Sequence, residues 1–467
     1  MTHETPASRP RAAPRRAAVA IAALAVAVLG VYCSSPVIQS GDGRLVIYEA
    51  DSVLHEQNLD LHEFGGIVQG FPCYREGNRI LSRYPYGTSL VTAPILAVTI
   101  AGGRLVGADP TSTIRERYPR HLEKTLAGII AALAVAALAL LGLEVLGRTA
   151  PAVLLAAIFA LGTSLWSTVS RGLWQHGPLI LLFTAGLICL ARGLRRDDWR
   201  WISAAGLPLA GAYVVRPTAA VPLALGALVL LATRRRRAFA GYAAAAACVL
   251  VPSVAYNLWV YDQVAIPFYT MGSGFLGSGL RSSFLTGLAG TMISPSRGLL
   301  VYSPFLALAA AGLWMRRGRL GALDVVAVGS TLIIWILASN TKDWPGGWSY
   351  GPRLLADTLP FLAYLMLPVV DAVARPVRSW SRPVAGLAAA LAICVGWSVF
   401  VNARGATSWA TQLWNVRPEP AGVQNDPGRF WEWDDPPFLR TGQAGFKDIY
   451  PWSRPPKVEA GKVCVES

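Results

Sequence analysis

The sequence predicts an all-α, polytopic membrane protein of about eleven transmembrane helices, because apolar stretches of about 18 to 22 residues recur along most of it. Composition points the same way: of 467 residues 53 % are hydrophobic and 15 % charged, and the mean hydropathy is +0.42. A water-soluble domain has too few polar groups to hide so much apolar surface. The net charge of +15 is spread over short basic tracts between apolar stretches, the positive-inside pattern, and not over one face suited to nucleic acid.

The first tract, Arg9, Arg11, Arg15 and Arg16, makes residues 1–16 a cytoplasmic segment. The apolar run after it exceeds a typical signal core and no A-x-A site follows, so it reads as an uncleaved first span. Further tracts stand at Arg148, from Arg192 to Arg200, from Arg234 to Arg237, from Arg316 to Arg319 and from Arg375 to Arg382. With each tract in the cytoplasm, spans fall near 17–38, 125–146, 151–168, 177–193, 200–215, 218–233, 238–258, 298–315, 322–339, 353–374 and 384–402. Their orientations alternate without conflict, within a transmembrane domain of residues 17–402. The amino terminus is then cytoplasmic, and residues 403–467 form an extracytoplasmic tail of a multi-pass protein of the inner (plasma) membrane.

One stretch resists this scheme. Residues 87–106 are long enough to cross, yet counting them would reverse every later loop, so they read as an interfacial or re-entrant helix kinked at Pro94. They belong to the first outer loop, 39–124, which carries ten of the 27 acidic residues. Ordered loops of that length usually serve function. Trp and Tyr crowd the outer span ends, chiefly as an aromatic belt, with Trp344, Trp348 and Tyr350 the candidates for more than that. The six cysteines show no metal-ligand spacing; Cys189, Cys248 and Cys394 lie in spans, whereas Cys73 and Cys464 share the outer side and are a candidate disulfide.

Four outer segments carry candidate chemistry. Asp42 stands just beyond span 1, close enough to headgroups to meet a lipid phosphate ester and wet enough to stay ionised, and Asp51 follows on an expected helix. Each is read either as a general base or as a solvated loop acid. Arg171 and His176 share the tight turn SRGLWQHG, suited to holding a phosphate or to sitting among headgroups. Arg297 lies in ISPSRGLLVYSP. The densest segment, NTKDWPGGWSYGPRLL, places Lys342, Asp343, Trp348, Tyr350 and Arg353 together, with Gly346, Gly347 and Gly351 allowing close backbone approach. Arg353 begins an inward-running helix, where guanidinium and first-turn N–H groups face one anion, a phosphate donor or bulk lipid. No Walker loop, GxSxG elbow, HExxH or GxGxxG opening a helix is present, so ATP-driven transport and the common hydrolase and dehydrogenase mechanisms lack their residues.

The order of an acid after span 1, RYPYGTSLVTAP, SRGLWQHGP, RPTA, SPSRGLLVYSP and GGWSYGPRLL resembles the GT-C class of polytopic glycosyltransferases, over roughly residues 17–402. The tail segment RFWEWDDPPFLR resembles the carboxyl ends of bacterial members. The resemblance implies a polyprenyl-phosphate sugar as donor, a glycan, lipid or protein as acceptor, and a role in building the cell envelope. It also implies a carboxylate of the first outer loop as base, which matches Asp42, and loop helices lying along the membrane. Gly41 and Gly43 flank Asp42 where the class often has a second acid, so Asp51 stays a rival base, no cofactor is assigned and a divalent metal is not called for. Arg171, His176, Arg297 and Arg353 are then expected at the substrates. The rival expectation is a transporter or flippase of lipid-linked sugars, which needs charges at mid-membrane; Glu144, Asp324, Asp357 and Asp371 all stand toward span ends.

Overall fold

The computed structural model describes residues 14–39, 41–65, 67–68, 73–76, 79–116, 118–266, 283–341, 343–417 and 426–449. Helix α1 (Pro14–Ser34) leads to a layer made of α2 (Val46–His55), a hairpin of β1 (Cys73–Glu76) and β2 (Arg79–Ser82), α3 (Gly87–Leu105) and α4 (Pro110–Glu116). The bundle continues with α5 (Arg120–Leu146), α6 (Thr149–Gly162), α7 (Ser164–Ser167), α8 (His176–Arg196), α9 (Trp199–Ala204), α10 (Gly206–Val215), α11 (Ala220–Ala232) and α12 (Arg236–Tyr261). After it come α13 (Phe284–Ile293), α14 (Leu299–Tyr302), α15 (Leu308–Met315), α16 (Ala322–Ser339), α17 (Leu359–Val373) and α18 (Arg382–Thr407). Two short tail helices, α19 (Ala410–Leu413) and α20 (Phe446–Ile449), end the described chain.

Among the described residues eight helices are long and apolar enough to cross a bilayer, nine if the bent pair 149–162 and 164–171 counts as one span. The chain is therefore a multi-pass membrane protein. Three of the expected spans are realised as shorter pieces. Residues 200–215 divide into α9 and α10, 218–233 hold a 16-residue helix, and 298–315 break at Ser303–Pro304, where proline disfavours helical geometry in the residue before it. Conversely, the stretch read as interfacial is one helix, α3, with Pro94 inside it, and passes the length and hydropathy test for a span. The hairpin is a small departure from an all-α fold.

Apolar packing divides into two main layers. The larger core joins α1, α5, α6, α8, α10, α16 and α17. A second core fills the segment between α1 and α5, where Val46, Ile47 and Tyr48 of α2 meet Phe64, Ile80, Leu96 and the first turns of α5 at Leu126 and Ile130. The loop is thus an ordered cap seated on α5. Its hairpin is tied down where Asp60 accepts the Ile80 N–H at 2.8 Å and Leu61 donates to the Ile80 carbonyl at 2.8 Å. Cys464 lies outside the described residues, and with it the expected pairing to Cys73.

Candidate functional site

Asp42 reaches the site through a close backbone contact. Residues 37–39 run against the turn after α7: the Gln39 N–H donates to the Arg171 carbonyl at 3.0 Å, and the Gln39 amide to that of Ser167 at 2.7 Å. A Cβ at Gly43 would lie 2.4 Å from the Leu173 carbonyl oxygen, and one at Gly41 would lie 2.7 Å from the Trp174 ring. The two glycines flanking Asp42 let its turn press onto Leu173 and Trp174.

There Arg353, from far along the chain, meets Asp42. Its Nη1 lies 3.0 Å from Asp42 Oδ2, and its guanidinium stacks 4.4 Å above the Trp174 ring. Tyr84, in the turn after β2, donates its hydroxyl to Asp42 Oδ1 at 3.0 Å. Asp42 remains 42 % exposed and Arg353 11 %, so the carboxylate opens to the outside while the cation is mostly enclosed. Arg353 Nε is buried without a hydrogen-bond partner, as is the Trp174 indole N–H. Two enclosed donors without acceptors beside a half-open carboxylate leave room for a ligand rich in acceptor oxygens.

Arg353 starts a 3-10 turn, Arg353–Thr358, before α17, where the sequence predicts an α-helix from the outset. Asp357 in that turn is buried, accepts from His176 at 2.6 Å and pairs with Arg216 at 2.9 Å. The adjoining ends of α8, α10 and α17 are thereby locked together around Arg353. Gly346, Gly347 and Gly351 all take positive φ, shaping the turn that precedes Arg353.

Several expected residues are committed elsewhere. Asp51 is fully buried on α2, 3.2 Å from His55 and 3.8 Å from Arg115 of α4; burial raises its carboxyl, against the pull of those two neighbours. Arg171 is buried and donates to the carbonyls of Tyr32 at 2.6 Å and Ser35 at 3.0 Å, capping the end of α1. Lys124 joins it, donating to Cys33 and Ser35. Cations there also answer the negative pole of the helix. Arg297 is buried, with burial lowering it to about 10, and donates to Pro345 and Gly347 carbonyls and to Asn415 Oδ1 at 2.6 Å. It braces the 343–350 turn against the tail. Tyr350 is buried and donates to the Val401 carbonyl, and Trp348 packs with Trp344, Trp414, Phe430 and Trp431. Asp343 is exposed within electrostatic reach of Arg353 and Arg297, and Lys342 lies outside the described residues.

Sequence reasoning passed over Tyr84, Trp174, Arg216 and Asp357. A signal existed for the last pair: an acid and an arginine, each set in apolar sequence at a span end, are costly alone and so demand partners. Among the described residues no group of three or more His, Cys, Asp or Glu side chains is arranged to hold a metal ion.

No known family model matches the chain, and no curated protein matches it significantly. Among solved structures it is similar to the oligosaccharyltransferase of Archaeoglobus fulgidus, solved tethered to an acceptor peptide through a disulfide bond, with 13 % identity and a TM-score of 0.49. That match covers 93 % of this chain and 61 % of the other, so this chain spans less than two thirds of that protein's length.

Proposed function

We propose that this protein is a membrane glycosyltransferase that moves a monosaccharide from a polyprenyl-phosphate donor to an acceptor hydroxyl at the outer face, with inversion. The observation that carries the reading is the pairing of a half-open carboxylate, Asp42, with an enclosed guanidinium, Arg353, at the outer end of the bundle. An acceptor hydroxyl gives its proton to Asp42 Oδ2 as its oxygen bonds to the anomeric carbon. The bond from that carbon to the phosphate oxygen breaks, and its electron pair leaves with the phosphate. Arg353, drawn onto the donor phosphate as it binds, meets the growing negative charge there. The His176, Arg216 and Asp357 cluster fixes the turn that carries Arg353, Arg297 holds the preceding glycine-rich turn, and Arg171 holds α1. Asp51, enclosed by His55 and Arg115, is the weaker choice of base.

Asp42→Asn is the test, in proteoliposomes or detergent, with a radiolabelled polyprenyl-phosphate sugar and a lipid and glycan extract as acceptor. The amide keeps the size and the Tyr84 hydrogen bond but cannot take the proton, so turnover falls by about 10²- to 10⁴-fold. Donor affinity is expected to change far less. Wild-type turnover in Asp42→Asn sinks the base assignment, and donor translocation without transfer in the native protein points to the transporter.

A further inference from the structure

We infer that Tyr84 is the positioning residue for the base, keeping Asp42 aimed at the acceptor after the donor phosphate has drawn Arg353 away. The inference rests on the transferase reading above and assigns a part that reading leaves open.

The two oxygens of Asp42 are divided between two partners. Oδ2 faces Arg353 Nη1 at 3.0 Å, and Oδ1 accepts from the Tyr84 hydroxyl at 3.0 Å. A carboxylate locked by a guanidinium is a poor base, because the positive charge holds the proton off. A donor phosphodiester, with two unesterified oxygens sharing its negative charge and suited to the guanidinium fork, competes for the same guanidinium and loosens that hold. Oδ2 then becomes the free basic oxygen. Without a second anchor the short Asp42 side chain, standing in a turn between two glycines, would be free to rotate.

Tyr84 supplies that anchor from a different element. It sits in the turn after β2, whose strand is pinned to Asp60 and Leu61, so its position does not depend on Arg353. Burial and the neighbouring Asp42 both raise the phenol, which therefore stays protonated and donates across the working pH range. One partner thus leaves with donor binding and the other stays, so Asp42 is released only when there is a donor to attack and is still correctly aimed.

Tyr84→Phe in the full-length protein removes the hydroxyl and keeps the ring. At neutral pH kcat falls about 10-fold, while the donor KM stays within about twofold because no donor contact is lost. Counting kcat per folded molecule, read from the monodisperse fraction in detergent, separates this from a stability effect. Wild-type kcat in Tyr84→Phe, with Asp42→Asn inactive, overturns the assignment of Tyr84 and leaves the base in place. Full activity in Asp42→Asn overturns the base assignment and the inference with it, whatever Tyr84→Phe does, whereas absence of transfer in the native protein overturns the transferase reading itself.

Discussion

Replacing Arg353 separates its two jobs, holding the empty site together and holding the donor phosphate. Its ion pair with Asp42 joins a side chain 11 % exposed to one 42 % exposed, so it stabilises the fold by about 0.5–1 kcal/mol at most. The stack on Trp174 at 4.4 Å adds about 1 kcal/mol. Arg353→Ala therefore costs the empty protein about 1–2 kcal/mol, a modest fall in its unfolding temperature in detergent. A charged hydrogen bond to the donor phosphate is worth about 2 kcal/mol, and its loss lowers kcat/KM about 30-fold. Arg353→Lys keeps the charge but loses the planar fork and the stack, so it recovers only part of that. Steady-state kinetics with a short-chain polyprenyl-phosphate sugar, beside thermal unfolding, reads both quantities. Unchanged kcat/KM in Arg353→Ala, with only the unfolding temperature lowered, would refute the phosphate role and leave Arg353 a structural clamp on Asp42.

Gly43→Ala tests whether the approach of the two turns sets the site: the new Cβ meets the Leu173 carbonyl at 2.4 Å, so the Asp42 turn must move. Turnover is expected to drop by about 10²-fold with donor KM little changed, and wild-type turnover would show that Asp42 needs no such registration. Glu49 gives a pH signature in the outer layer. Its carboxyl is buried on α2, accepts from Ser89, and is pushed up by burial from 4.5 to about 8. Between those values the folded chain keeps a proton that the unfolded chain gives up, so this contribution is full below pH 4.5 and is lost as pH climbs to 8, by a few kcal/mol on the order of the linkage. Unfolding temperatures compared at pH 6 and pH 9 should converge in Glu49→Gln, and an equal loss in both proteins would place the effect elsewhere.

The bundle was legible in the sequence because a span must satisfy its backbone within itself and bury nothing but apolar groups, a demand that composition and length report directly. Breaks such as Ser303–Pro304 were less legible, since hydropathy averages across them. At the site, Asp42 and Arg353 could be singled out by position alone, each at the outer end of a span. Their mutual contact could not, because the two stand 311 positions apart and meet through two glycines whose meaning is a backbone approach. Where Arg171 lies was not legible, because a cation at a span end looks the same in sequence whether it faces a phosphate or the carbonyls of α1. The same holds for Asp51, as one turn of α2 decides whether an acid meets water or His55 and Arg115.

The tail has a consequence for the order in which a site becomes usable on a chain made from its amino end. Asn415 supplies an acceptor to Arg297, Phe430 gives its carbonyl to Ser294, and Trp414 donates to the Asp435 carbonyl. Each of these partners is translated after Arg353 has left the ribosome. Until they are made, the turn carrying Gly346 and Gly347 lacks its packing partner, and Arg297 lacks the side-chain oxygen of Asn415. Nascent chains that have inserted every helix through α18 are thus still unfinished at the surface where the chemistry is proposed, and the segment after α18 is what completes it.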